Sequence, residues 1–178
     1  VSGCSVKGTG GAIYSSMSTL VLKGSTVSEC YGVAGGAIHL SGDAVAEVYE
    51  SSFDKNTSPD GGCFGNDGKG SMLYVNECLF TGNKATNYGG VFRGATHGKT
   101  GAFFNNCRFR DNILTQNNTG SCLYMKTGYL CVNNCSFYDN ANLNNYGREL
   151  NWSNPSNSDG KTYDTGGIVT NCTFYNDG

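Results

Sequence analysis

The chain has 178 residues and a formal net charge of −2 at pH 7, and only 15 % of its residues are charged. This low, balanced charge, without a basic patch or a charge run, is not that of a nucleic-acid-binding protein. No apolar run approaches the roughly 20 residues that a membrane-spanning helix needs, and 12 % aromatic residues argue against disorder.

A short phrase recurs along the chain. Residues 105–112 read NNCRFRDN and residues 133–140 read NNCSFYDN, with six of eight positions identical. Alignment on the phrase N-C-x-F predicts seven equivalent strands, whose Cys and Phe positions hold, in chain order, Cys4/Val6, Ser25/Val27, Ser51/Phe53, Cys78/Phe80, Cys107/Phe109, Cys135/Phe137 and Cys172/Phe174. Three residues after the Phe position stand Thr9, Cys30, Asn56, Asn83, Asn112, Asn140 and Asp177.

Two further segments accompany each phrase. One follows it and reads GGAIY at 10–14, GGAIH at 35–39, GGCF at 61–64, GGVF at 89–92, GSCL at 120–123 and GREL at 147–150. The other precedes it and alternates in polarity, as in Leu20-x-Leu22 or Leu73-x-Val75. Each unit therefore predicts three short strands separated by Asn and Gly turns.

One such unit cannot bury its own apolar face, but stacked copies can. The sequence therefore predicts an all-β fold, a parallel β-helix (solenoid) of about six to seven coils that forms one domain over residues 1–178. Equivalent residues of successive coils are expected to lie about 4.8 Å apart. Because an amide both donates and accepts hydrogen bonds, we expect a structural Asn ladder of Asn56, Asn83, Asn112 and Asn140.

These phrases resemble the GGAI and FxxN repeats of the chlamydial polymorphic outer-membrane proteins. The resemblance rests on GGAI at 10–13 and 35–38, and on FDKN at 53–56, FTGN at 80–83, FRDN at 109–112 and FYDN at 137–140. It implies a right-handed parallel β-helix of the pectate-lyase-like type, displayed outside the cell in adhesive or structural roles. The chain departs from that family because its 178 residues are not expected to include a membrane-anchoring barrel and its later units lose GGAI.

The cysteines follow the repeat. A buried Cys ladder is expected from the shared inward column, which contains Cys4, Cys78, Cys107, Cys135 and Cys172. Stacked thiols are favoured over disulfides because bridge geometry is demanding, and the spacings do not match a zinc site. Cys131 falls between two inward residues, so its side chain should point out of the coil.

The outward positions of the alternating segment predict a possible contact stripe of four apolar side chains on successive coils: Tyr74, Phe103, Cys131 and Ile168. Such a patch is unusual on a free surface. Either a loop covers it or it packs against another chain.

Five N-x-S/T sequons raise the question of glycosylation. Asn56 belongs to the expected Asn ladder and is a poor acceptor. Asn117 and Asn151 lie in polar segments and are the best glycosylation candidates, followed by Asn134 and Asn171. Residues 151–166, rich in Asn, Ser and Gly, are predicted to form a polar surface loop.

One group of residues is a candidate catalytic site. Asp111 and Asp139 occupy equivalent positions on neighbouring coils with Arg110 beside them, and such a pair is able to flank a glycosidic bond or hold Ca²⁺. The alternative is that both are solvated turn residues. His39 and His97 lie on different coils without a recognisable partner.

We therefore expect an extracellular or cell-surface β-helix that acts as a structural or adhesive module, without catalysis, cofactor or metal. The alternative is a carbohydrate-active or carbohydrate-binding β-helix that uses Asp111, Asp139 and Arg110. Expected partners are other protein chains, through end-to-end or lateral self-association or as an adhesion receptor, and glycans, but neither nucleic acid nor a membrane. Because neither end shows a cap, the chain is expected to be an excerpt of a longer repeat protein or a unit that stacks end to end.

Overall fold

The computed structural model describes residues 1–94, 100–116, 122–142, 149–152 and 165–175. Strands joined by short turns account for these residues, and none of them lies in a helix. Accordingly, this described part contains no helix that is long and apolar enough to cross a membrane.

The strands follow one another in coils. The first coil contains β1 (Ile13–Ser16), β2 (Thr19–Lys23) and β3 (Thr26–Ser28). The second contains β4 (Ile38–Ser41), β5 (Val45–Tyr49), β6 (Ser52–Asp54) and β7 (Thr57–Asp60), and the third β8 (Phe64–Asn66), β9 (Met72–Asn76), β10 (Leu79–Thr81) and β11 (Lys84–Tyr88). The fourth contains β12 (Phe92–Gly94), β13 (Gly101–Asn105), β14 (Arg108–Arg110) and β15 (Ile113–Leu114). The fifth contains β16 (Leu123–Met125), β17 (Gly128–Asn133), β18 (Ser136–Tyr138) and β19 (Ala141–Asn142), and the last β20 (Leu150–Trp152), β21 (Thr165–Thr170) and β22 (Thr173–Tyr175).

Equivalent strands of successive coils pair in parallel and form four sheets. Sheet S1 has the order β1-β4-β8-β12-β16-β20, S2 has β2-β5-β9-β13-β17-β21, S3 has β3-β6-β10-β14-β18-β22, and S4 has β7-β11-β15-β19. The predicted parallel β-solenoid is therefore confirmed. The predicted number of coils is too high, because only about four turns contribute a strand to all four sheets, and S4 was not anticipated.

The interior is built from columns of like side chains. In S3, Phe53, Phe80, Phe109 and Phe137 occupy one register position on successive coils. Their rings stack with centroids 4.6–5.2 Å apart, an arrangement that contributes about 0.5–1.5 kcal/mol per pair beyond burial. Rings from the other sheets meet this stack edge-on, as Phe64 does against Phe53 at 4.9 Å. The solenoid thus has one continuous aromatic core.

The first unit is shifted relative to the sequence alignment. Ser5 bridges to Tyr31, and Tyr31 bridges to Thr57, which places Cys4 beside Cys30 rather than in the column of Cys78. The assignment of Cys4 to the Cys ladder was therefore wrong. The physical reason is the corner at Gly3, whose φ of 65° matches the φ of 55° at Glu29 one coil later and fixes the register.

Candidate functional site

The outward face of S2 carries an apolar stripe. Tyr74, Phe103, Cys131 and Ile168 occupy one register position on four successive strands. Tyr74 is 40 % and Ile168 62 % exposed, while Phe103 and Cys131 are partly buried. The Tyr74 and Phe103 rings stack with centroids 5.0 Å apart. Beside Tyr74, Phe103 and Cys131 the neighbouring positions on the strand are buried, as alternation along a strand requires, whereas the neighbours of Ile168 on the last coil are exposed.

A polar residue bounds the stripe on the preceding coil. Glu47 precedes Tyr74 in the same register column, and its carboxylate accepts a hydrogen bond from the Tyr49 hydroxyl at 2.9 Å. The continuous apolar part therefore begins at Tyr74.

An amide ladder runs beside the stripe. Asn105 donates to Asn76 at 2.9 Å, Asn133 donates to Asn105 at 2.8 Å, and the Thr170 hydroxyl donates to Asn133 at 2.8 Å. These side chains belong to the last residues of the S2 strands and are partly or fully exposed, so the ladder lies on the surface. We did not predict it, although the paired asparagines at 105–106 and 133–134 were a signal for it.

The corner that follows S3 contains the two candidate aspartates. Asp111 and Asp139 have φ values of 54° and 52°, and Glu29 and Lys55 occupy the same left-handed conformation on earlier coils. Asp and Asn adopt this conformation more readily than most other residues. The left-handed corner thus accounts for the two aspartates without a catalytic or ligand-binding role.

A cleft nevertheless brings these aspartates together with basic and aromatic side chains. It has a volume of about 950 Å³ and is lined by Leu79, Thr81, Arg108, Arg110, Asp111, Ser136, Tyr138 and Asp139. The Asp111 carboxylate lies 3.2 Å from Nε of Arg110, and both side chains are more than half exposed. An exposed ion pair of this kind contributes little to stability, so it leaves both groups accessible to a ligand.

The sequence predicts that the two histidines lie on different coils. His39 lies in β4 and is buried, whereas His97 lies outside the described residues. Within the described ranges, no three His, Cys, Asp or Glu side chains are grouped to hold a metal ion.

All nine cysteines are free thiols. Cys78, Cys107 and Cys135 are buried on successive coils, and Cys172 is partly buried on the next. The Cys107 thiol lies 3.2 Å from its own coil's Asn105 carbonyl and 3.7 Å from the Val75 carbonyl of the preceding coil. These thiols thus fill the inside of a corner and donate weakly to carbonyls there.

The sequons lie in different settings. Asn56 is fully buried, and Asn117 lies outside the described residues. Asn151 lies in β20 rather than in a loop, opposite Tyr124 of β16. The expectation of a loop is wrong at this position, and residues 153–164 of the expected surface loop lie outside the described part. Asn134 and Asn171 are exposed corner residues with φ of 50° and 53°.

Comparisons with protein-family models, with curated proteins and with solved structures found no match for this chain. The resemblance to the chlamydial repeats therefore rests on the motifs alone.

Proposed function

We propose that this chain is a structural or adhesive β-helix module of an extracellular, cell-surface or filament-forming protein. In this role the parallel coils supply stiffness, and the outward faces supply contacts to other chains. The partner is a second copy of the chain or an adhesion receptor.

The observation that carries the proposal is the stripe Tyr74–Phe103–Cys131–Ile168. Exposed apolar patches on soluble proteins commonly mark sites of interaction. Here the patch is rigid, because each side chain sits on a strand that is hydrogen-bonded on both sides or, for Ile168, on one side. A preformed surface loses little conformational entropy on binding, which suits a contact surface.

The test is a charge variant of the stripe, Tyr74→Lys with Ile168→Lys. The matched control, Tyr31→Lys with Val33→Lys, changes two residues that are 41 % and 43 % exposed outside S2. Self-association is measured by sedimentation velocity and electron microscopy over a concentration range, and adhesion by binding of labelled protein to cultured cells. We expect the stripe variant to weaken self-association or cell binding at least tenfold, while the control keeps it.

Two outcomes would overturn the proposal. One is a wild-type chain that neither self-associates nor binds cells. The other is an equal loss in the stripe variant and the control, since the contact would then not lie on S2.

A carbohydrate-binding or carbohydrate-active β-helix is the second candidate, and the cleft beside S3 favours it. That single cleft unites Arg110, Asp111 and Asp139 with the Tyr138 ring, and carboxylates with an aromatic ring form a usual sugar-binding set. Its test is Asp111→Asn with Asp139→Asn, assayed against acidic and neutral polysaccharides for binding and for release of new chain ends. Unchanged behaviour of the double variant would remove this candidate.

A further inference from the structure

The outward face of S1 contains a buried histidine. His39 is only 3 % exposed, although its side chain points away from the solenoid interior, as those of Tyr14 and Arg93 do at the same register position. The Tyr14 ring stacks against the imidazole with centroids 5.7 Å apart and an interplanar angle of 4°. On the other side, the register position belongs to Gly65, where an added Cβ would lie 2.8 Å from His39 Nδ1. The glycine thus makes room for the imidazole.

One carboxylate lies between two nitrogen-bearing side chains. Asp67 directly follows β8, and its Oδ2 lies 3.7 Å from Nε2 of His39, while its other oxygen pairs with the Arg93 guanidinium. The Arg93 side chain is 13 % and that of Asp67 38 % exposed. The carboxylate is therefore shared between the guanidinium and the imidazole, and its attraction for a protonated His39 is opposed by the repulsion from Arg93 and by burial.

The buried position of Nδ1 favours the neutral imidazole. Within the described residues, Nδ1 of His39 and Nε of Arg93 are buried without a hydrogen-bond partner. An imidazolium carries N–H groups on both ring nitrogens, so protonation would create a charged donor at a buried position. Burying such a group without a partner is costly.

In the part of the chain that the structure describes, three titratable or charged side chains face His39: Tyr14 from β1, Asp67 from the turn after β8, and Arg93 from β12. We propose that His39 is an acid-sensitive latch. The neutral imidazole packs between Tyr14 and the Asp67 turn. The protonated imidazole leaves this position and releases that turn from S1. The proton comes from solvent and adds to the imidazole, and no other bond changes.

The direction of the effect follows from the surroundings. Burial is the largest influence and lowers the pKa of His39 below 6.5; the Asp67 carboxylate and the Ala34 backbone oppose it, and Arg93 lowers the pKa further. The folded state therefore binds fewer protons than the unfolded state as the pH falls below 6.5. Stability conferred by neutral His39 is complete above that pH and is lost as the pH falls towards the folded-state pKa.

The experiment compares the wild type with His39→Phe, which keeps an aromatic ring against Tyr14 but cannot be protonated. The midpoint of denaturant unfolding is measured from pH 8 to pH 5. Amide hydrogen exchange of residues 66–71 is followed over the same range and corrected for the intrinsic pH dependence. We expect the wild type to lose stability relative to His39→Phe below pH 6.5, with several-fold faster exchange at Asp67 and its neighbours.

If His39→Phe does not fold, a second measurement still tests the proposal. The chain contains two histidines, so a His97→Gln variant leaves His39 as the only imidazole to titrate by NMR. A pKa below 6.5 together with acid-induced exchange at 66–71 supports the latch. Parallel stability curves, a pKa at or above 6.5, or exchange that does not respond to acid would overturn it.

Discussion

The Oδ1 atom of Asn83 accepts two hydrogen bonds from Asn56, one from the backbone amide at 3.0 Å and one from the side-chain amide at 3.1 Å. Asn112 does the same for Asn83 at 3.0 Å and 3.0 Å. The Asn83 side chain also donates to the Phe53 carbonyl of the preceding coil at 3.0 Å. Each side-chain amide therefore supplies hydrogen-bond partners to backbone N–H and C=O groups at the corner, which would otherwise be buried without partners.

This arrangement predicts the effect of Asn83→Leu. The leucine has a similar volume but removes the acceptor of both Asn56 donors, and an unpaired buried group costs about 1–3 kcal/mol. We expect the free energy of unfolding to fall by about 3 kcal/mol or more, as measured by urea denaturation. The control is Asn133→Leu in the exposed amide ladder, where solvent replaces the lost partners. An equal loss in both variants would show that the buried ladder has no special role.

The Gly-Gly pair at 61–62 makes a second prediction. Gly61 has a φ of 70°, and a Cβ on Gly62 would overlap the Gly90 carbonyl oxygen of the next coil. Gly62→Ala must therefore push two coils apart, and we expect a loss of at least about 2 kcal/mol. Gly24→Asn is the matched control, since φ there is 57° and no atom lies within 4 Å of an added Cβ. The measurement is the unfolding midpoint of each variant, and a Gly62→Ala protein as stable as Gly24→Asn would contradict the explanation.

Most of this fold could be predicted from the sequence, because residues that align in the repeat also stack on one another in the structure. Phe53, Phe80 and Phe109 align in the sequence, and the register of S3 places them one above another. The fourth sheet escaped prediction because its strands share neither a repeated phrase nor an apolar alternation, as TSPD in β7, KATNY in β11 and IL in β15 show. Cys4 was misplaced because a Cys followed two residues later by Val imitates the repeated phrase, whereas the corner residue before it decides the register.

The candidate sites were harder to foresee for a physical reason. The stripe follows from alternation along a strand, so Tyr74 and Ile168 were recognisable in the sequence. The His39 cluster is not, because Tyr14, His39, Asp67 and Arg93 come from four coils and Asp67 lies in a turn outside every repeated phrase. Only the superposition of coils brings them together.

The thiols give a third prediction. Burial raises the pKa of the Cys63 and Cys122 thiols well above the usual value, and neither thiol is accessible in the folded chain. We expect a maleimide at pH 7.5 to label only the partly exposed Cys4, Cys131 and Cys172 within minutes. Peptide mass spectrometry identifies the sites, and the same reaction in denaturant, where all nine should be labelled, is the control. Rapid labelling of Cys107 in the native protein would contradict the buried thiol ladder.

The aromatic stack gives the last prediction. The Phe109 ring lies between those of Phe80 and Phe137, at centroid distances of 4.9 Å and 4.6 Å, and is fully buried. Phe109→Ala leaves a cavity in the middle of the solenoid, so we expect a loss of about 3–5 kcal/mol in the free energy of unfolding. Phe174→Ala is the control, because among the described residues that ring stacks on Phe137 alone, at 4.9 Å, and it is 48 % exposed.

Phe109→Ala should also change the shape of the transition. Stability in a solenoid is the sum of coil and interface contributions, so a weak central interface lets the two halves unfold separately. We expect a broader denaturant transition with a lower m-value for Phe109→Ala, and a single sharp one for Phe174→Ala. If both variants lose the same stability with the same m-value, the core is not a continuous stack in solution, and the coils are held together chiefly by the backbone and Asn hydrogen bonds.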